Sequence, residues 1–251
     1  ADTAAKKEDA SAPATNKIAG LETDKQQVSY MIGMDLGKSM KPIKDEVDLD
    51  TVMKALKTVL ADGKPLMTDE QAQQVGQAFG QRMQAKKLAE MQQQAKTNVT
   101  EGAAFFAANA KKPGVKTTAS GLQYQAITEG TGPKPKAGDT VRVHYKGALL
   151  DGKTFDSSYD RGQPVVFALD QVVPGWKEGI QLMPVGSKYK FWIPSKLGYG
   201  EAGTPGGPIG PNATLAFDVE LLEIVKPGAA DAPAPNGSAP AGQMSGGPSG
   251  G

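Results

Sequence analysis

VVPGWKEGIQLMPVGSKYKFWI, residues 172–193, holds both tryptophans of the chain and changes period halfway along. The run from about Trp176 to Met183 reads as a helix of a turn or two, too short to be stable by itself. KYKFWI alternates, as a strand does. Trp176, beside Pro174 and Gly175, presents a large apolar surface that something must use. A structural core tryptophan under a small sheet is one reading, and the floor of a binding hollow is the other.

Outward from this stretch, LQYQAI (122–127), TVRVHYKGALL (140–150), VVFAL (165–169) and TLAFDVELLEI (214–224) also have period two. Turn signals such as TGPKPKAGD and LDGKT separate them. In the last stretch Leu215, Phe217, Val219 and Leu221 alternate with Ala216, Asp218, Glu220 and Leu222, so one face meets a core. Residues 113–227 are therefore expected to form a strongly bent antiparallel sheet of about five strands wrapped on one short helix.

Upstream the period is helical. In DLDTVMKALKTVLADGKP (48–65) the apolar residues Leu49, Val52, Met53, Leu56, Val59 and Leu60 fall on one helix face. Asp48 is placed to cap its start, and Gly63 with Pro65 to end it. VSYMIGMDLGKSM (28–40) repeats the pattern through Val28, Met31, Ile32 and Leu36. Its Gly33 and Gly37 lie one turn apart, which points to close packing against another helix or to a bend. TDEQ (68–71) opens a third helix, with Thr68 and Gln71 spaced for a capping box. No proline follows until Pro113, so an unbroken helix would reach about 65 Å.

That helix has an apolar stripe at Val75, Phe79 and Met83. Beyond Met91 the sequence QQQAKTNVTEG is polar nearly all round, the signature of a helix that bridges solvent, with Gly102 as a weak point. Seven methionines of the nine in the chain, Met31, Met34, Met40, Met53, Met67, Met83 and Met91, lie in this helical region. Such a thin core is naturally completed by a second copy on a two-fold axis, a compact monomeric bundle being the alternative.

The expected layout is thus 1–23 disordered, 24–66 a helical dimerisation domain, 67–112 a long connecting helix, 113–227 a sheet domain and 228–251 a disordered tail. Both ends are low in apolar residues and cannot offset the entropy of ordering. The fold class is α+β.

Composition removes several functions. With 28 basic and 27 acidic residues the net charge is +1, far from the field that draws phosphates, so nucleic acid is not the expected partner. The chain has no cysteine and one histidine, which excludes thiol nucleophiles, disulfides and multi-histidine metal sites. No stretch is long and apolar enough to span a membrane. The small, polar opening ADTAAKKEDASAPATNK fits an exported bacterial protein after removal of a signal peptide.

Two motifs are decoys. GYGEAG (198–203) matches GxGxxG, but no helix follows to receive a pyrophosphate. His144 lies inside a strand, where a structural hydrogen-bonded role is expected, so hydrolase chemistry lacks its base. What remains is aromatic. Tyr145, Phe155, Trp176, Tyr199 and Phe217 converge on a shallow apolar cup if the sheet curls over the helix, with Asp156 at its rim or paired with Arg161. Such a cup, with one carboxylate and no nucleophile, suits rotation about an Xaa–Pro bond, whose barrier is about 18–20 kcal/mol. The twisted transition state has lost much of the amide's polarity, so a dry pocket favours it over the planar form.

At these residues the sequence resembles a known family. GDTVRVHYKGALLDGKTFDSSYDRGQPVVFAL, VVPGWKEGIQLMPVGSKYKFWIPSKLGYG and PNATLAFDVELLEI are similar to the FK506-binding-protein (FKBP) type of peptidyl-prolyl cis-trans isomerase. YMIGMDLGKSM and the long Gln/Lys/Ala-rich helix resemble the dimerising arm of its FkpA and macrophage infectivity potentiator branch. The resemblance implies a proline pocket formed or bordered by Tyr145, Phe155, Asp156, Arg161, Val172, Val173, Trp176, Tyr199, Ile209 and Phe217. Asp156, Tyr199, Trp176 and Phe217 are its catalytic candidates. No cofactor or metal is implied.

The resemblance further implies a homodimer through residues 24–66, a V-shaped clamp, and proline-containing or unfolded polypeptides as clients. It also implies inhibition by FK506 and rapamycin, and a place in the periplasm or at the cell surface. Two features depart from the usual pattern: Val165 stands where many relatives carry a larger side chain, and TPGGPIGPN (204–212) is longer and richer in glycine. The alternative function is a chaperone module that binds proline peptides with little or no turnover.

Overall fold

Each period-two stretch forms a strand in the computed structural model, which describes residues 12–226. The elements, in chain order, are β1 (Pro13–Ile18), β2 (Leu21–Thr23), α1 (Asp24–Met40), α2 (Leu49–Leu60), α3 (Asp69–Asn109), β3 (Lys116–Thr117), β4 (Gln123–Thr128), β5 (Thr140–Leu149), β6 (Thr154–Ser157), α4 (Ser158–Arg161), β7 (Val165–Ala168), α5 (Pro174–Ile180), β8 (Lys188–Ile193) and β9 (Leu215–Val225). The chain is α+β, a helical N-terminal region followed by an antiparallel sheet. Among the described residues it divides into two compact units, one ending at Ala78 and the other beginning at Phe79. The division falls inside α3, not at the expected ends of the connecting helix.

The sheet has seven strands in the order β3-β4-β8-β9-β5-β6, with β7 also on β5. The expected count was lower because β3 and β6 are too short to show an alternation. β5 carries β7 along its first half, where Val141 faces Phe167, and β6 along its second, where Gly147 faces Asp156. The register between β5 and β9 shifts after Arg142, which pairs with Glu223 while Val143 pairs with Leu221. The bulge absorbs Leu222, leaving it exposed while Leu221 is fully buried. The alternating residues Val141, Val143, Tyr145, Leu215, Phe217 and Val219 build the core.

Helix α5 is weak by sequence and strong by packing. A Cβ on Gly175 would lie 2.6 Å from Ile193 Cγ2, and one on Gly179 would lie 2.7 Å from Phe191 Cε1. Both glycines therefore let the helix backbone rest directly on β8. The helix begins before Trp176 and ends at Ile180, earlier than the sequence suggested, with Met183 buried in the following turn.

In the N-terminal unit the expected helices form, and no residue of α1 or α2 is buried. The Thr68–Gln71 capping box is present, with Gln71 N–H donating to Thr68 Oγ1 at 3.1 Å and Thr68 N–H to Gln71 Oε1 at 2.9 Å. Asp48 stands at the N-cap of α2, yet its carboxylate accepts from Thr51 Oγ1 and not from a backbone N–H. The left-handed residue that ends α2 is Asp62 at φ 53°, not Gly63, whose N–H closes the turn on Thr58 O at 2.9 Å. Among the described residues nothing lies within 4 Å of a Cβ placed on Gly33 or Gly37, so none of the described helices packs closely against them.

Residues 12–23 were expected to be disordered and instead include the β1–β2 hairpin. Gln27 Nε2 donates to Asn16 O and Leu21 O, and Thr23 with Gln26 forms a capping box on α1. Local side-chain bonds, not apolar burial, hold this segment. The expectations for residues 1–11 and for the 228–251 tail lie outside the described residues. No helix among those described is long and apolar enough to cross a membrane.

The second half of α3 is not a solvent bridge. Asn98 Nδ2 donates to Pro211 O at 2.8 Å, and Asn109 Nδ2 donates to Gln123 Oε1 at 2.8 Å. Phe105 packs on Trp192 with ring centroids 6.3 Å apart. Gly102 is a contact and not a weak point, since a Cβ there would lie 2.8 Å from Thr214 Oγ1.

Candidate active site

Trp176 enters from α5 and is 1% exposed. Three rings meet it edge-on: Tyr145 from β5 at 5.1 Å and 85°, Phe167 from β7 at 5.1 Å and 82°, and Phe217 from β9 at 5.2 Å and 83°. Phe155 on β6 then meets Phe217 at 5.5 Å and 88°. Edge-to-face contacts of this kind contribute beyond the area they bury. They also lock the indole, whose Nε1–H finds no acceptor among the described residues.

Val172 and Val173 flank the start of α5 in the same buried cluster, and Ile209 joins it from the glycine-rich loop at 3% exposure. Tyr199 is half-buried and reaches the cluster through packing, not through one of the ring pairs above. Val165 is buried on β7, two residues from Phe167.

Asp156 sits beside the rings with its side chain 13% exposed. Tyr145 Oη donates to Asp156 Oδ2 at 2.5 Å, Arg161 Nη1 donates to Asp156 Oδ1 at 2.5 Å, and Arg161 Nη2 donates to Tyr145 Oη at 3.0 Å. Arg161 also lies over the Tyr145 ring at 5.8 Å. Burial, and then the hydrogen bond to Asp156, push the Tyr145 hydroxyl well above the usual phenol range. Burial, and then the charge of Asp156, push Tyr199 up to about 12. Both hydroxyls therefore stay protonated as hydrogen-bond donors at working pH. The Arg161 pairing considered for Asp156 forms.

The structure thus gathers Tyr145, Phe155, Asp156, Arg161, Trp176 and Phe217 into one contiguous network. Phe167 is the member that sequence reasoning missed. Its signal was present, because Val165 and Phe167 alternate onto one face of VVFAL, but the stretch was read only as a strand.

A serine–histidine pair is also present, and it is structural. His144 Nδ1 lies 2.8 Å from Ser158 Oγ and its ring stacks on Tyr159 at 4.6 Å. Ser158 is fully buried, and its Oγ accepts the Tyr145 N–H at 2.7 Å. A hydroxyl committed to backbone in this way cannot serve as a nucleophile.

Residues 132–222 match the family described as FKBP-type peptidyl-prolyl cis-trans isomerase, and residues 25–126 match the domain amino terminal to FKBP-type peptidyl-prolyl isomerase. The chain is 47% identical over 236 residues to the FKBP-type peptidyl-prolyl cis-trans isomerase FkpA of Aeromonas hydrophila, covering 91% of this chain and 87% of that one. It is 42% identical over 215 residues to the outer membrane protein MIP of Legionella longbeachae, covering 86% and 92% respectively. The crystal structure of FkpA from Escherichia coli matches it with a TM-score of 0.66 at 41% identity, over 82% of this chain and 98% of that one.

Proposed function

Because the chain belongs to the FKBP-type peptidyl-prolyl cis-trans isomerases, we propose that its Xaa–Pro rotation takes place against Trp176, in the hollow bordered by Tyr145, Phe155, Val172, Val173, Tyr199, Ile209 and Phe217. The observation that carries this reading is the edge-on enclosure of the indole by Tyr145, Phe167 and Phe217. Rings fixed on three strands give the prolyl ring a rigid, water-poor seat. The amide that leaves planarity there exchanges lost resonance for a medium that does not favour the polar, planar form.

Asp156 acts chiefly by holding the Tyr145 hydroxyl and the Arg161 guanidinium in place. Tyr199, neutral and half-buried, is the group best suited to hold a substrate carbonyl while the bond turns. FK506 and rapamycin, as ligands of this family, occupy the same hollow.

The dimer belongs to the N-terminal unit. Val28, Met31, Ile32 and Leu36 of α1 and Leu49, Val52, Met53 and Leu56 of α2 are all exposed in the single chain. A groove of ≈ 650 Å³ runs between these helices, lined by Gly33, Leu36, Gly37, Val52, Met53 and Leu56 among others. A second copy covers both faces and supplies the close-packed neighbour that Gly33 and Gly37 lack. Unfolded, proline-containing polypeptides are the expected clients. The relative named an outer membrane protein supports a place in the bacterial envelope, and in the periplasm for this chain.

A protease-coupled assay on a proline tetrapeptide tests the site. Trp176→Ala and Asp156→Ala should each lower kcat/KM, Trp176→Ala by at least about tenfold, and rapamycin should inhibit the wild type. Wild-type turnover no faster than the uncatalysed rate would leave a binding module only.

A further inference from the structure

The glycine-rich loop carries Ile209 into the proposed pocket, and its internal bonds account for its shape. Thr204 N–H donates to Ile209 O at 2.8 Å, and Ile209 N–H donates to Thr204 Oγ1 at 3.1 Å. These bonds do not fix where the loop sits. Two others tie its far end down: Asn212 N–H to Gly200 O at 2.9 Å, adjacent to Tyr199, and the Asn98 side-chain amide to Pro211 O at 2.8 Å. The second comes from α3, 113 residues away in sequence.

The contact is continued along the helix. A Cβ on Gly210 would lie 2.9 Å from Gln94 Nε2, and Gly102 meets Thr214 at the loop's exit into β9. Beside these contacts is a cleft of ≈ 110 Å³ bordered by Gln94, Asn98, Glu101, Leu150, Asp151 and Gly210. That cleft leaves open space beside the loop on the side facing α3.

We propose that Asn98 is a positioning residue for isomerisation: through Pro211 it sets the placement of the 203–213 loop, and with it Ile209 and Tyr199 at the proline pocket. The connecting helix thereby becomes part of the isomerase and not only its support. This rests on the pocket reading above for Ile209 and Tyr199.

The test uses the full chain. Asn98→Asp keeps the size of the side chain but replaces the donor with a carboxylate oxygen facing a carbonyl, and Asn98→Gln keeps the donor. Turnover is measured on a series of Xaa–Pro tetrapeptides, with the amide NMR signals of Tyr199 and Ile209 and the melting temperature. Asn98→Asp should lower kcat/KM by about three- to tenfold, the weight of one tethering hydrogen bond. It should also shift both amide signals, and Asn98→Gln should recover part of each.

Wild-type kcat/KM in Asn98→Asp overturns the proposal. So does a loss accompanied by unmoved amide signals and a lowered melting temperature, which would make Asn98 a stabiliser of the helix only. Ile209→Ala separates the two levels. If it turns over like the wild type, the pocket reading falls; if it is impaired while Asn98→Asp is not, the pocket stands and the positioning role falls.

Discussion

At Tyr145, Tyr159 and Tyr199 the fold holds phenolic protons more tightly than a free chain does. Tyr159 and Tyr199 are raised to about 12 from an ordinary 10.0, in each case first by burial. A raised phenol means that the folded state binds the proton more strongly. The resulting stabilisation is complete below pH 10 and is lost as the pH rises from about 10 towards 12. Thermal melting between about pH 8 and 11.5 should show stability falling at the alkaline end, with a shallower fall in Tyr199→Phe; identical slopes would remove Tyr199 from the account. Of these residues only Tyr145 and Tyr199 were legible in sequence as candidates for the proposed site. Their ring type and their places in a strand and a glycine-rich loop are visible in sequence, whereas the Tyr145–Asp156–Arg161 bonding depends on the bulged pairing of β5 with β6, which no local pattern encodes.

Helices α3 and α5 show where periodicity informs and where it misleads. Little in the local pattern encourages a helix at α5, and the two glycines that weaken it locally are what seat it against β8. Replacing Gly179 by alanine should raise helix propensity by about 1 kcal/mol. Even so, the variant should lose stability overall by about 1–3 kcal/mol through the clash with Phe191, read as a lower urea midpoint with unchanged m-value; a rise in midpoint would show that Phe191 yields freely. For α3 the capping box and length were plain, but its docking was not. Asn98 and Asn109 look like solvent-facing amides because the groups they bond, Pro211 O and Gln123 Oε1, lie outside the helix. Gly102 looked like a flaw for the same reason. The N-terminal hairpin was likewise invisible, since side-chain bonds from Gln26 and Gln27 hold it without an apolar pattern.

At the scale of the whole molecule the amphipathic faces of α1 and α2 were readable from spacing alone, and in the single chain they are uncovered. Sedimentation equilibrium of the full protein should return a dimer. Val52→Glu combined with Leu56→Glu should return a monomer whose tetrapeptide turnover stays within about twofold of wild type; a wild-type monomer at high concentration would remove the dimer. The anchoring of the end of α3 has a further, practical consequence for anyone wishing to excise the sheet portion. A fragment beginning at Pro113 discards the helix segment that shields Trp192 and supplies the Asn109 partner of Gln123, and it should be sticky and melt early. One beginning near Gln92 keeps that cover and should behave as a well-mannered soluble piece, so the scissors belong inside the helix and not at its end.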